Sequence, residues 1–331
     1  MGVTAWLDGF QRRHTWLGFP LAVVYKFIDD QGSYLAALIT YYGFVSLFPG
    51  LLLMVSVLGY TLDGNPALQQ ALLGSALKQL PIIGPQLQQN VSAIHGSGLG
   101  VIVGIVVAAY GGLGVSVAIQ TAMNRVWAVP RYARPDAVLS RLRGLVLFVL
   151  IAVVVLTATA LSAVGPVAAG FGYGIGAGVP IAAIAVATLV NVGALLVGFR
   201  VLTARDVALA DLMPGAVSAG VAIQVLQTVG TLFVSRELGG VSQVYGVFGL
   251  VLGLLAWVYL QAVIVVFCAE INVVRARRLW PRHLLAPFVD DVELTRADQA
   301  SYRSYADAER YKPFEQVQTT FEGQPSTNDK P

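Results

Sequence analysis

The stretch VYGVFGLVLGLLAWVYLQAVIVVFCAEI, residues 244–271, is almost entirely apolar and carries a single charged side chain, Glu270, near its end. A bilayer core about 30 Å thick is crossed by about 20 apolar residues in a helix, because unpaired backbone groups cannot face lipid. The stretch therefore predicts a transmembrane helix. The whole chain agrees, since 56% of its residues are hydrophobic and 12% are charged, whereas soluble domains have about 25% charged residues.

Five further apolar runs reach the same length, so the sequence predicts an all-α, polytopic membrane protein with a bundle of six transmembrane helices. The six expected spans are 34–60, 97–122, 144–169, 179–199, 212–235 and 244–271. Residues 1–33 form an expected N-terminal segment with an amphipathic helix and no cleaved signal peptide, because charged residues interrupt its apolar positions. Residues 272–331 form an expected tail.

The basic residues predict the orientation of the bundle. If the N-terminus is inside, fourteen of the Lys and Arg residues before Leu284 lie in the inside segments, and Lys78 and Arg236 lie outside. Short cytoplasmic loops are enriched in Lys and Arg. We therefore expect both termini to be cytoplasmic.

Three segments outside the spans have distinct compositions. Residues 61–96 have apolar positions at helical spacing, which is typical of an amphipathic helix that covers helix ends or acts as a lid over a cavity. The run FGYGIGAG at 171–178 predicts a tight turn and no nucleotide site, since no strand precedes it and no Lys follows it. The tail from Leu284 has nine acidic and five basic residues, with an expected helix around 293–311 and expected disorder after Phe314.

The basic run RARRLWPRH at 275–283 follows the last span directly. Arg side chains at such a position meet anionic lipid headgroups. We expect Arg275, Arg277 and Arg278 to anchor the chain to headgroups, in preference to forming a specific binding site.

Polar residues inside the spans indicate where a substrate path would run, because each needs a partner away from lipid. In the first span Tyr42, Ser46 and Pro49 stand at i, i+4 and i+7, on one helix face, and the proline predicts a kink. The candidates for a cavity wall or substrate path are Tyr42, Ser46, Pro49, Gln120, Asn124, Asn191, Gln224, Gln261 and Glu270.

Glu270 has two interpretations. It is a candidate proton or cation site, because an ionisable group inside a span is costly unless it is used or paired. It is also a candidate ion-pair partner for Arg125 or Arg143, which is the interpretation we favour because the residue lies near the arginine-rich end of its span.

Three patterns carry a resemblance to a known family. They are AALITYYGFVSLFPGLLL at 36–53, AMNRVW at 122–127, and the last span with its following Asn, 245–272. Together they resemble the YihY/BrkB family of bacterial inner-membrane proteins, over roughly residues 22–278. One departure is Cys268, where the family usually has Gly. The resemblance implies a six-helix protein of the inner (plasma) membrane; members have been connected with envelope integrity, serum resistance and movement of lipid precursors, and have carried the label ribonuclease BN.

The ribonuclease label does not fit the residues. Metal-dependent hydrolysis of RNA requires clustered His, Asp or Glu side chains, yet His14, His95 and His283 are predicted on opposite sides of the membrane. The single cysteine, Cys268, gives neither a disulfide within the chain nor a Cys-based metal site. We expect no enzymatic activity, no cofactor, no bound metal and no nucleic-acid partner.

Two functional classes remain. One is a transporter or flippase for a lipid or another amphipathic envelope component, with membrane lipids as its partners. The other is a scaffold that supports envelope integrity and recruits envelope-biogenesis proteins through its tail. Deletion of the tail separates them, because a scaffold would fail without it; an oligomer is compatible with both.

Overall fold

A computed structural model describes residues 2–61, 98–170, 178–289 and 292–322, and it contains helices and no strands within those ranges. In chain order they are α1 (Gly2–Arg13), α2 (Thr15–Asp29), α3 (Gly32–Thr61), α4 (Gly98–Val126), α5 (Ala137–Gly170), α6 (Gly178–Leu202), α7 (Leu209–Arg277) and α8 (Arg296–Ala308). A 3-10 turn, Arg131–Ala133, lies between α4 and α5. The all-α prediction is confirmed for the described residues.

Four described segments are long and apolar enough to cross a membrane. They are Ala137–Ala158, Ile181–Leu202, Leu209–Gly230 and Val251–Arg277, and they overlap the last four predicted spans. Helices α3 and α4 cover the first two predicted spans, with a shorter apolar stretch at Gly32–Leu47. The protein is therefore a multi-pass helical membrane protein, and the count of six spans stays a prediction.

Helix α7 is helical along its whole length but folds back on itself. Near the two ends of α7, the Gly215 backbone N–H donates to Asn272 Oδ1 at 2.6 Å. Further along, a Cβ placed on Gly230 would collide with the Trp257 ring. Because the residue numbers of these contacts rise on one side and fall on the other, the two halves of α7 are antiparallel, and the chain reverses between Gly230 and Val251.

Glycines set the contact between α3 and α4. A Cβ on Gly111 would lie 2.7 Å from Ser46 Cβ, and one on Gly114 would overlap the Tyr42 ring. Residues without a side chain allow helix backbones to approach closely inside a membrane. The glycines of the second predicted span therefore serve tight packing at this contact.

The N-terminal segment contains two helices where one was expected. Helix α1 exposes Trp6 and Phe10, as an amphipathic surface helix does, whereas α2 packs against α7 and buries Ala22 and Val23 in the main apolar core. That core lies where α2, α4 and both halves of α7 meet, and it places the end of α2 beside the end of α7. We call this the tail end of the bundle, because α8 also docks there.

Several predictions fall on residues outside the described ranges. They are the amphipathic loop beyond Thr61, the glycine-rich turn before Gly178 and the end of the tail after Glu322. The tail helix expected around 293–311 is α8. Its first turn is fixed by a reciprocal pair of bonds, in which Asp298 N–H donates to Thr295 Oγ1 at 3.1 Å and Thr295 N–H donates to Asp298 Oδ2 at 3.0 Å.

Candidate functional site

Three charged side chains are buried together at the tail end of the bundle. Lys26 from α2, Asp30 just after α2 and Glu270 from α7 are each at most 1% exposed. The Lys26 ammonium bonds to Asp30, donates to the Val126 carbonyl at 3.2 Å and lies 3.6 Å from Glu270 Oε2. We call Lys26, Asp30 and Glu270 the buried ionic cluster.

The carboxylate of Glu270 is incompletely satisfied. Neither of its oxygens has a hydrogen-bond donor among the described residues, and Asp30 Oδ1 also lacks one. An ionised carboxylate in a low-dielectric interior normally accepts several such bonds, and its effective desolvation penalty is several kcal/mol. Glu270 is therefore paired by charge with Lys26 but is not fully bonded.

The charges of the buried ionic cluster do not balance. With both carboxylates ionised, one ammonium faces two negative charges in the interior. The nearest additional cation is Arg125, whose Nε lies 3.9 Å from Asp30 Oδ1. Because Arg125 is about one third exposed and bonds to Glu309 at 3.0 Å, it neutralises the interior only in part. Burial accordingly raises the pKa of Asp30 against the opposing effect of Lys26.

The predicted partner of Glu270 was wrong. The sequence pointed to Arg125 or Arg143, but the cation beside Glu270 is Lys26. Lys26 belongs to a helix that the sequence assigned to a surface segment, and only packing of α2 against α7 brings it inside.

A second ionic group fastens the tail to the same end of the bundle. Arg282 is fully buried, and its guanidinium donates to Asp29 Oδ2 at 2.6 Å and to Asp298 Oδ1 at 2.8 Å. Although burial disfavours its charge, these two carboxylates hold the pKa of Arg282 above its ordinary value. We call Arg282, Asp29 and Asp298 the tail clamp. Arg282, the last arginine of the basic run, thus contacts carboxylates of the protein itself.

Tyr305 connects the tail clamp to the buried ionic cluster. Its ring lies over the Lys26 ammonium, 5.1 Å from ring centre to Nζ, and its hydroxyl donates to Asp29 Oδ2 at 3.2 Å. Burial, with the nearby Asp30 charge, raises the pKa of Tyr305 and keeps the hydroxyl neutral. Helix α8 thus covers the cluster from the tail side.

The first-span candidates face a helix contact. Tyr42 and Ser46 are half-buried and pack directly on the α4 glycines. The Ser46 hydroxyl donates to the Gly43 carbonyl at 3.0 Å. Pro49 lies within α3, and its side chain is outside the described part of the structure. These contacts give Tyr42 and Ser46 a packing role, and a substrate path beside them stays a prediction.

Two amide candidates hold loops in place. Gln120 donates to Ser116 Oγ at 3.0 Å and to the Ser140 carbonyl at 2.8 Å, which joins α4 to the start of α5. Asn124 Oδ1 accepts the Ala204 backbone N–H at 2.8 Å and so fixes the segment after α6. Both side chains are buried, and their assignment to a substrate path stays a prediction.

The remaining span candidates are dispersed over α6 and α7. Asn191, Gln224 and Gln261 are each half-buried, and Gln224 Oε1 has no hydrogen-bond partner among the described residues. The structure does not gather them around Glu270 through any described contact. Their assignment to a substrate path stays a prediction.

The three arginines expected at headgroups divide into two kinds. Arg275 and Arg278 are exposed at the end of α7, as headgroup contacts require. Arg277 turns inward and donates to the Trp127 carbonyl. Headgroup contact stays a prediction for the exposed pair, whereas Arg277 stabilises the fold.

Sequence reasoning did not bring together the buried charged residues at the tail end of the bundle. It treated Lys26, Asp29 and Asp30 as residues of a surface segment, although Asp30, directly after the apolar helix α2, is four positions from Lys26. That spacing, together with Glu270 in the last span, was the available signal. Arg282 and Asp298 had no such signal, because only folding of the tail brings them together.

Comparison with known proteins gives one match. The family model described as virulence factor BrkB matches residues 23–287, which contain the buried ionic cluster and Arg282. No curated protein and no solved structure shows significant similarity to the chain.

Proposed function

The chain belongs to the BrkB family, since that family's model covers most of its length, and from its buried polar interior we propose that it transports a lipid or another amphipathic envelope component. It is an integral membrane protein with apolar helices. We propose further that it lies in the inner membrane with both termini cytoplasmic, in line with the distribution of its basic residues, and that it catalyses no chemical reaction.

The buried ionic cluster is the observation that carries the proposal. A scaffold requires only apolar helices that pack, and buried charge within them is costly. Here Glu270, with no donor on either oxygen among the described residues, sits beside Lys26 and Asp30. Ionisable groups inside membrane bundles mark ion and substrate pathways, which supports a transport role over a purely structural one.

The position of α8 supports a gated pathway. Tyr305 covers Lys26, and the tail clamp holds α8 in that position. A pathway through this end of the bundle would open when α8 moves. Such a movement would break the bonds of Asp29 and Asp298 to Arg282.

The test is reconstitution of the full chain into liposomes with a fluorescent phospholipid and a membrane-impermeant quencher of the outer leaflet. We expect wild type to move lipid between leaflets under an imposed pH gradient or voltage. Glu270→Gln should lose most of this movement. Glu322→Gln is the matched control, because it makes the same chemical change at an exposed tail position.

The result that contradicts the lipid proposal is clear. If wild type moves no lipid under either gradient, or if Glu270→Gln is as active as Glu322→Gln, the cluster does not serve lipid transport. Tyr42→Phe and Ser46→Ala, measured in the same assay, test the path predicted from the first span.

The scaffold alternative requires a tail that is available to partners. The tail docks on its own chain through Asp298 and Glu309; the latter bonds to Arg125 at 3.0 Å and to Arg131 at 2.7 Å. Deletion from Leu284 would therefore disrupt the fold as well as any recruitment. Removal of residues 316–331 leaves α8 and these bonds in place, so a loss of envelope integrity in that variant would favour the scaffold.

A further inference from the structure

We propose that the buried ionic cluster binds one proton, shared between the carboxyl groups of Asp30 and Glu270 beside Lys26. The ligand is a hydrogen ion, and the site lies at the tail end of the bundle. The claim that this proton drives transport rests on the proposed function. The claim that the site binds a proton does not depend on it.

The carboxyl groups of Asp30 and Glu270 lie at the same ammonium group, because Lys26 Nζ bonds to Asp30 and lies 3.6 Å from Glu270 Oε2. Two ionised carboxylates cannot bond to each other, because neither has a hydrogen. A proton on one of them supplies the donor that Glu270 lacks among the described residues. The same proton changes the net charge of the three side chains from −1 to zero.

The surrounding groups do not remove the need for this proton. From α4, Arg125 approaches Asp30 but is already bonded to Glu309. On α7, the Arg277 guanidinium donates to the Trp127 carbonyl. In the tail, Arg282 bonds to Asp29 and Asp298, and Tyr305 is neutral and donates to Asp29. On α2, Asp29 adds negative charge to the same end of the bundle.

A proton fits the site better than a metal cation. The Lys26 ammonium bonds to Asp30 and lies 3.6 Å from Glu270 Oε2. A second full cation placed between these groups would be repelled at short range in a low-dielectric interior. A hard metal ion would also require several oxygen ligands, whereas a shared proton requires two carboxyl oxygens.

The experiment is infrared spectroscopy of the full chain in lipid nanodiscs at neutral pH. A protonated carboxyl group has a C=O stretching band separate from that of carboxylates. We expect this band in wild type, and its loss or shift in Glu270→Gln and in Asp30→Asn. Glu322→Gln and Asp206→Asn are matched controls, because both of their positions are exposed, and they should leave the band unchanged.

The infrared spectrum of the wild-type protein tests the proposal by itself, so the test does not depend on correct folding of the variants. Labelling all Glu or all Asp carboxyl groups with ¹³C should shift the band without any substitution. Absence of the band in wild type at neutral pH overturns the proposal, as does a band untouched by both cluster variants. The spectra are recorded with choline as the only buffer cation. Loss of the band when Na⁺ replaces this choline also overturns the proposal, since a metal ion would then occupy the site.

The proton site and lipid transport can be tested separately. The infrared band requires no cargo and no gradient. A protein that shows the band but moves no lipid has the proton site without the proposed cargo. A protein that moves lipid but lacks the band does not use a proton bound at this cluster to drive transport.

Discussion

Removing Arg282 should release the tail helix from the bundle. The guanidinium makes two charge-assisted hydrogen bonds, at 2.6 Å to Asp29 and 2.8 Å to Asp298, and it is fully buried. Such bonds contribute about 1.5–3 kcal/mol each, and breaking a buried pair by removing one partner costs about 3–5 kcal/mol.

For Arg282→Met we expect a cost at the lower end of the range of about 3–5 kcal/mol. Asp298 keeps donors from the Thr295 hydroxyl and the His283 backbone N–H, at 2.7 and 2.9 Å, and Asp29 keeps the Tyr305 hydroxyl. We therefore expect a loss of about 3 kcal/mol in docking of α8. At about 1.4 kcal/mol per tenfold change, the undocked population rises by about 100-fold.

Hydrogen–deuterium exchange of the backbone amides in α8 measures this change directly. In Arg282→Met, exchange across Arg296–Ala308 should accelerate by about 100-fold, while α7 near Glu270 changes much less. Arg275→Met removes an exposed arginine from the same region and should leave α8 protected. Unchanged protection of α8 in Arg282→Met would refute the clamp, as would equal loosening in both variants.

Three further predictions concern stability in detergent, measured by thermal unfolding. Gly215→Ala should destabilise by about 1–3 kcal/mol, because its Cβ would collide with a backbone carbonyl of the facing half of α7, whereas Gly193→Ala, with open space around it, should not destabilise; equal effects would contradict the close approach. Asn124→Ala should cost about 1–3 kcal/mol, since the Ala204 N–H loses its acceptor; no change in Tm would argue against this bond. Burial raises the pKa of Asp30, so the folded state binds a proton at this carboxyl group more tightly than the unfolded state. The contribution of Asp30 to the free energy of unfolding is therefore fully present below its ordinary pKa of 3.8 and is lost as the pH rises through the pKa of the folded state. Asp30→Asn should remove that part of the pH dependence, and parallel curves for the two proteins would exclude it.

The membrane class and helical segments could be read from the sequence because hydrophobicity is local and additive along the chain. A run such as 244–271 excludes water and requires internal backbone bonds wherever it lies, so its helical state does not depend on distant residues. The tail helix was also predictable in outline, since its capping residues, Thr295 and Asp298, are three positions apart.

The candidate site was only partly predictable. Glu270 was recognisable by its isolation in an apolar span, but its partner is 244 positions away in sequence, on a helix that reads as a surface segment. The reversal within α7 likewise follows from contacts such as Gly215 with Asn272, which no local pattern specifies.

The sequence by itself determined that this chain is a helical membrane protein of the BrkB family, because apolar length and local motifs carry that information. Tertiary structure alone decided that Lys26, Asp30 and Glu270 share one buried site and that Arg282 fastens the tail across it. The physical reason is that an ionic cluster forms only when helices distant in the sequence pack together and bring its members into contact.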